Sequence, residues 1–472
     1  MKKYFWLTLF LFIASRFFFL ANYPHFYDSP EYFRESQSLS FFDSLKTSHE
    51  SIHPVWLFLT QTFQKIVPQS NVWEISLIAA VFGLVGFVSF YFLIKRNFNE
   101  KIALFSSIPL IFFPHLWLLQ TNVLHESLDF ALFLLGLLFF DFFLTKKNFS
   151  WFLSSILFLS LAIFDFVGIL LWSPVFIGLT ILRSKKISLQ SVGWSVAAIV
   201  LSFFLAVGGL YPISHLKVLL FGYGSGGILS NWGFLSILRT LRNDALILFY
   251  GYSLSAILVL IITGAYLVKK KNWPVLIFFL SFFLPFLLTG KFWYGGLLGR
   301  YSALIAYPLA LLLAIMPWRR IYGVLIFILF LSFLPSFVVY QQKPIPQIQT
   351  GLIEKINLQK EDLLVLSDYQ RPQLEYNNAL YINGDEKIQK IIEGKIVEKL
   401  SQSNRVFISQ QAIDFPYWQY DGQQIHIISK GNKNKAQLKE FLKDKEKKLV
   451  AEDKNYPLLN LYQLQKEVLS FK

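Results

Sequence analysis

The sequence predicts an all-α polytopic membrane protein of about eleven transmembrane helices, followed by a small extracytoplasmic α/β domain. Three observations predict it. Of 472 residues, 54% are hydrophobic and only 15% are charged, against about 25% charged in a typical soluble domain. Apolar runs long enough to cross a bilayer, which takes roughly 17–25 residues, recur along the first 340 residues. Beyond residue 340 the text changes to short apolar strands alternating with amphipathic helical patterns.

The apolar runs fall at 4–22, 72–94, 101–118, 127–145, 149–164, 166–182, 187–210, 245–268, 273–290, 301–317 and 321–340. The first is too long and too aromatic for a signal-peptide core, and no small-residue cleavage site follows it, so it reads as a retained helix. The pair 149–182 is short and broken by Asp165. It reads either as a tight hairpin or as one long tilted helix, with Asp165 as a turn residue at the outer end.

Orientation follows from the positive-inside rule. Lys2-Lys3, Lys95-Arg96, Lys146-Lys147, Arg183/Lys185/Lys186, Lys269-Lys270-Lys271 and Arg319-Arg320 mark every second boundary. They place the N-terminus in the cytoplasm and, after eleven crossings, everything past Tyr340 outside, in a multi-pass protein of the cell membrane. Most of the net charge of +15 is this effect: residues 341–472 carry 20 basic and 17 acidic side chains. The basic balance therefore needs no nucleic-acid partner. With no cysteine in the chain, disulfides and thiolate chemistry are excluded.

Domain boundaries follow the composition: residues 1–340 form the transmembrane domain, 341–350 a linker and 351–472 the α/β domain. The linker, beginning QQKPIPQIQ, has two prolines in a polar run, which end the last helix. Past it, EDLLVLSD, RVFISQQ and GQQIHIISK read as strands, and DEKIQKIIEGKIVEKLSQS and NKAQLKEFLKDKEKK as helices. No phosphate loop or nucleophile is recognisable there, so this domain reads as accessory.

Chemistry-bearing residues collect on the outer side. Asp28 and Glu31 follow the first helix in YDSPEYFRES, His53-Pro54 opens the amphipathic stretch PVWLFLTQTFQKI, and His125-Glu126 with Asp129 begins the fourth helix. Lys291 and Arg300-Tyr301 precede the tenth, and the glycine-rich FGYGSGG reads as a flexible loop. Ionisable groups at membrane depth are costly and face a cavity or a partner. A semi-buried carboxylate can act as a general base, and an arginine at the boundary can grip a phosphate bidentately. The same residues have plainer readings: D-S-P-E is also a helix start, Glu126 gains from a helix dipole, and Arg300 can anchor a helix by snorkelling. A divalent cation held by Asp28, His125 and Glu126 is compatible with the residue types, but spacing does not establish it.

At these residues the chain resembles the C-type membrane glycosyltransferases (GT-C superfamily), in particular protein O-mannosyltransferases and aminoarabinose transferases. D-S-P-E-Y is similar to the acidic motif of their first external loop, IHPVWLFL to their His-Pro segment, NVLHESLDFALFLLGLLFF to their second external loop, and GRYSALIAYPLALLLA to a late Arg-Tyr segment. The resemblance spans roughly residues 1–340. It implies an inverting transfer of a sugar from a polyprenyl-phosphate donor to an acceptor hydroxyl, on a protein, lipid or glycan of the cell envelope. Asp28 would be the base. Glu126 would orient the acceptor or hold a divalent ion. Arg300, with His53 and Lys291, would bind the donor phosphate, and Glu31, Tyr32, His125 and Tyr301 would support the site. Where that family often has adjacent acids, Ser29 and Pro30 separate Asp28 from Glu31. The competing reading is a secondary transporter or lipid-linked sugar flippase, but no internal repeat is present and the acids lie at helix ends. A catalytically inactive membrane scaffold is the third.

Overall fold

The computed structural model of the chain describes residues 2–23, 29–37, 40–42, 44, 53–68, 70–185, 189–207, 256–288, 300–316, 319–341, 345–367, 376–382, 386–413, 418–420, 425–427 and 437–465. The chain divides into two units: Met1–Asn22 with Glu31–Val338, and Tyr23–Pro30 with Val339–Lys472.

The first unit is helical. Its described elements begin with α1 (Lys2–Phe17), α2 (Ser29–Ser36), α3 (Pro54–Ile66), α4 (Val72–Asn97), α5 (Glu100–Phe112), α6 (Pro114–Gln120) and α7 (Glu126–Lys146). They continue with α8 (Phe149–Asp165), α9 (Pro174–Ser184), α10 (Leu189–Val207), α11 (Ala256–Lys269), α12 (Trp273–Leu288), α13 (Ala306–Ile315) and α14 (Arg319–Gln341). Among the described residues four helical runs are long and apolar enough to cross a membrane: Val72–Asn97, Glu126–Lys146, Val167–Ser184 and Leu189–Ala206. The bent pair α5–α6 makes a fifth if it is one span, and α8, α11, α12, α13 and part of α14 are shorter apolar helices. Large apolar side chains stand exposed on the outer helices, among them Trp6 and Phe10 on α1, Val200 and Phe204 on α10, and Phe327 and Leu331 on α14. Such exposure suits hydrocarbon rather than water.

Local signals set the boundaries. At α4 the Asn71 side chain accepts the Glu74 N–H at 3.1 Å while the Glu74 carboxylate accepts the Asn71 N–H at 2.7 Å, a reciprocal capping box. The central helix α7 is apolar all round and buried along most of its length, and it packs chiefly on α8 and α4. Gly136 lets α8 approach: a Cβ there would stand 3.4 Å from the Ser155 carbonyl oxygen, whose own residue donates its hydroxyl to the Gly136 carbonyl at 2.8 Å. Small residues at a helix contact serve this purpose in membrane proteins.

The expected span 101–118 is not straight. It bends by 74° between α5 and α6, and two prolines explain how the break is tolerated. Pro109 and Pro114 have no N–H, so the carbonyls of Phe105 and Leu110, four residues earlier, lose their helical donors. Side chains from elsewhere replace them. The Tyr322 hydroxyl donates to the Phe105 oxygen at 2.7 Å, and Arg16 donates to the Leu110 oxygen at 2.7 Å and the Ile111 oxygen at 2.9 Å. Arg16 is fully buried, with its Nε bonded to Gln120 at 3.0 Å.

The basic helix ends converge. Arg96 and Asn97, closing α4, both donate to the buried carboxylate of Asp141 near the end of α7. Arg183, closing α9, reaches the Arg96 carbonyl and the Thr145 hydroxyl, each at 2.9 Å. Three helices thus end together in a cationic cluster around one acid.

The second unit carries a five-stranded sheet, β1 (Leu363–Ser367), β2 (Ala379–Ile382), β3 (Val406–Ser409), β6 (Lys447–Ala451) and β7 (Leu461–Leu464), in the order β2-β1-β3-β7-β6. β1 pairs in parallel with β2 and β3, and β7 is antiparallel to β3 and β6. Strands β4 (Trp418–Tyr420) and β5 (Ile425–Ile427) form a separate antiparallel pair. Both faces of β1 are covered: Leu363 and Val365 join Ile392 and Ile396 of helix Glu386–Ser401, while Leu364 and Leu366 join Leu352 and Ile353 of helix Ile345–Lys355. Burial on both sides is why this strand reads as an unbroken apolar run. Of the expected helix over NKAQLKEFLKDKEKK, the described residues form a helix at Gln437–Phe441, and the end of the stretch passes into β6.

Candidate active site

At the end of α7 opposite the basic cluster, six side chains close around one another: Tyr32, His53, His125, Glu126, Asp129 and Asp165. All are buried, and all but Tyr32 are completely so. From Glu126 to Lys146, α7 rises about 30 Å, close to the thickness of a bilayer's hydrocarbon core. The two polar clusters therefore mark its two ends.

His53 and Pro54 start α3, with proline at the first helical position, where its missing N–H costs nothing. The cap of this helix comes from far along the chain. Asp165, the last residue of α8, accepts the N–H of Val55 at 2.7 Å and of Trp56 at 2.9 Å through Oδ1. The Asp165 carbonyl lies 3.1 Å from His53 Nδ1. A carbonyl can only accept, so that nitrogen carries the hydrogen.

His125 immediately precedes α7, and its Nδ1 meets Asp129 Oδ2 one turn on at 2.6 Å. Its Nε2 lies 3.4 Å from Glu126 Oε1. The two imidazoles stack with centroids 3.4 Å apart and planes 23° apart. Tyr32, on α2, presents its ring to both at 5.7 and 5.6 Å, and Phe166 closes a further side at about 6 Å. Donor atoms of His53, His125, Asp129 and Asp165 lie within 4.8 Å of one another, and these are the described residues that could hold a metal.

Of the sequence-predicted site, the structure brings together His53, His125, Glu126 and Tyr32. Asp28 and Lys291 lie outside the described residues, as does the glycine-rich FGYGSGG, while Glu31, Arg300 and Tyr301 are described only as backbone, in α2 and in the 3-10 turn Arg300–Ile305. Asp165 stands where the sequence places a turn residue: α8 ends there and a 3-10 turn Val167–Trp172 leads to α9. The structure adds that its carboxylate is enclosed among His53, His125 and Asp129. The signal for this was in the sequence, since an acid inside an apolar run with no adjacent base must find its partners in the fold.

Sequence and structure comparisons agree on the kind of protein this resembles. Residues 51–208, well short of half the chain, match the family described as dolichyl-phosphate-mannose-protein mannosyltransferase. The crystal structure of ArnT from Cupriavidus metallidurans in the apo state superposes with a TM-score of 0.55 at 11% identity, covering 98% of this chain and 97% of that one. The chain has the fold of this ArnT. The same ArnT bound to undecaprenyl phosphate gives a TM-score of 0.53 with the same identity and coverage. The Archaeoglobus fulgidus oligosaccharyltransferase tethered to an acceptor peptide is more distant, at a TM-score of 0.49 and 10% identity over 88% of this chain and 69% of that one. No curated protein matches. The residues 51–208 that match the mannosyltransferase family include His53, His125, Glu126, Asp129 and Asp165.

Proposed function

We propose that this chain is an inverting glycosyltransferase of the cell envelope, moving a sugar from a polyprenyl-phosphate donor to an acceptor hydroxyl on the outer face of the membrane. The observation that carries the proposal is the acid–imidazole cluster at one end of α7, a bilayer's thickness from the basic ends of α4, α7 and α9. By the positive-inside rule the basic ends are cytoplasmic, so the cluster faces outward, as does the α/β domain of residues 351–472 after eleven crossings. ArnT, with the same fold, has been crystallised with undecaprenyl phosphate, which supports a donor of that class.

In the reaction the acceptor oxygen attacks the anomeric carbon as its proton passes to the Asp28 carboxylate. The bond from that carbon to the phosphate oxygen breaks, and polyprenyl phosphate leaves with the electron pair. The leaving group is already a stabilised anion, so the enzyme supplies a base, alignment and charge stabilisation. Glu126 orients the acceptor, Arg300 with Lys291 holds the donor phosphate, and Glu31, Tyr32, His53, His125 and Tyr301 support the site.

A screen of polyprenyl-phosphate sugars with the purified protein tests this reading. Acceptor-dependent release of polyprenyl phosphate is expected from the wild type and not from Asp28→Asn. Release that is equal in the two would remove Asp28 as the base.

A further inference from the structure

We propose that His53, His125, Asp129 and Asp165 form a binding site for one divalent transition-metal ion of the zinc class. The sequence suggested a cation among Asp28, His125 and Glu126. The four residues assembled by the fold share only His125 with that set. They come from the start of α3, the first turn of α7 and the last residue of α8, and their donor atoms lie within 4.8 Å of one another.

Among the described residues no N–H or hydroxyl group donates to two fully buried carboxylate oxygens, Asp129 Oδ1 and Asp165 Oδ2, although the opposite oxygen of each carboxylate is engaged and the two side chains lie within hydrogen-bonding reach of each other. Leaving an acid oxygen bare in an apolar interior is costly. The only ion pair of Asp129 among the described residues is to His125. Glu126 lies alongside, its Oε1 3.4 Å from His125 Nε2.

Nδ1 of His53 is held by the Asp165 backbone carbonyl, an outer-shell contact that fixes the tautomer and leaves Nε2 as the basic nitrogen. His125 touches Asp129, a member of the same set, through Nδ1, and turning that ring onto the ion gives up this contact. Two imidazole nitrogens with two carboxylate oxygens suit zinc and its neighbours in tetrahedral coordination. Magnesium and calcium favour all-oxygen sets. Ligation requires one geometric change: the rings, now face to face at 3.4 Å, turn about χ2 so that both lone pairs converge on the ion. Once bound, the ion staples three segments together directly beside Glu126.

The test uses the full-length protein purified in detergent, stripped with a chelator and given Zn2+ or, as a spectroscopic probe, Co2+. Retention of one zinc per chain after desalting, a rise in Tm on adding Zn2+, and the intense visible bands of four-coordinate cobalt are expected. His53→Gln and Asp165→Asn should each weaken zinc binding at least about tenfold, as disturbed metal sites do. Asp165→Asn keeps the oxygen that caps α3, so its fold is preserved even where His53→Gln fails. The proposal is overturned if the wild type retains no zinc and its Tm ignores both Zn2+ and chelator. It is equally overturned if Mg2+ or Ca2+ stabilises the protein and Zn2+ does not, or if Asp165→Asn binds zinc as the wild type does. None of these readouts depends on sugar transfer, so the site stands or falls separately from the proposed activity.

Discussion

Asp165 caps a helix that begins 111 residues earlier: its Oδ1 accepts the Val55 N–H at 2.7 Å. The side chain thereby fixes the entry of α3, and with it the position of His53, against the last turn of α8. Removing a capping oxygen costs roughly 0.5–2 kcal/mol, so Asp165→Ala should lower the Tm measured in detergent. Asp165→Asn, which keeps an acceptor, should lower it much less in the absence of metal. Equal losses in the two variants would show that the charge, and not the cap, stabilises this junction.

The pairing of Pro109 with Tyr322 makes a double-mutant prediction. Tyr322→Phe removes the donor to the Phe105 oxygen and should cost about 1–3 kcal/mol, the penalty for a buried acceptor left bare. In a Pro109→Ala background the helix regains its own N–H at that position, and the same change should cost less. Thermal unfolding of the four proteins measures the coupling. Strict additivity would mean that Tyr322 stabilises α5 by packing alone.

Arg16 faces a similar test with a different partner set. Its guanidinium serves two carbonyls at the α5–α6 bend and Gln120. Arg16→Met preserves length but leaves those acceptors bare, and a loss of several kcal/mol is expected from unsatisfied buried groups. Proteolysis at the bend in detergent should accelerate accordingly. An unchanged digestion pattern would show that the bend holds itself.

A pH effect is expected in the second unit. Burial, reinforced by nearby Glu354, pushes the Tyr376 phenol up to about 12. A group whose folded pKa is raised stabilises the fold below its unfolded pKa, near 10, and loses that contribution as pH rises toward 12. Unfolding monitored from pH 9 to 12 should therefore show a decline in stability that Tyr376→Phe reduces. A decline of the same size in both proteins would assign it to other groups.

For Arg300, the expected consequence of phosphate binding is selective. Arg300→Ala should raise the apparent KM for the lipid donor several-fold more than that for the acceptor, as loss of a charge-assisted contact to the donor alone implies. Steady-state assays varying each substrate in turn measure this. Equal effects on both would make Arg300 a helix anchor.

Much of the architecture was legible because lipid and sheet burial write strong patterns. The apolar runs at 72–94 and 127–145 lie within α4 and α7, and LLVLS became β1. Other features were hidden by the same uniformity. The run 101–118 reads as continuous because apolar composition does not reveal where prolines bend a helix, and its repair depends on Arg16 and Tyr322 from distant segments. β6 was concealed under a lysine-rich, helix-like text because all but its last residue are at least partly exposed and, among the described residues, it pairs only with β7. At the site, His53, His125 and Glu126 were visible as polar residues at helix starts. Asp165 was legible as a turn residue, but its partner, the open end of α3, lies 111 residues earlier and was not.

Acceptor-dependent release of polyprenyl phosphate by wild type and Glu126→Gln, measured side by side on purified protein, tests the placement of chemistry at this end of α7. The wild type should turn over, and Glu126→Gln should fall by about 100-fold or more while keeping its Tm, the scale of a lost acid–base or orienting group. Undiminished turnover by Glu126→Gln, or passage of the intact lipid-linked sugar across the bilayer without any transfer, would contradict it.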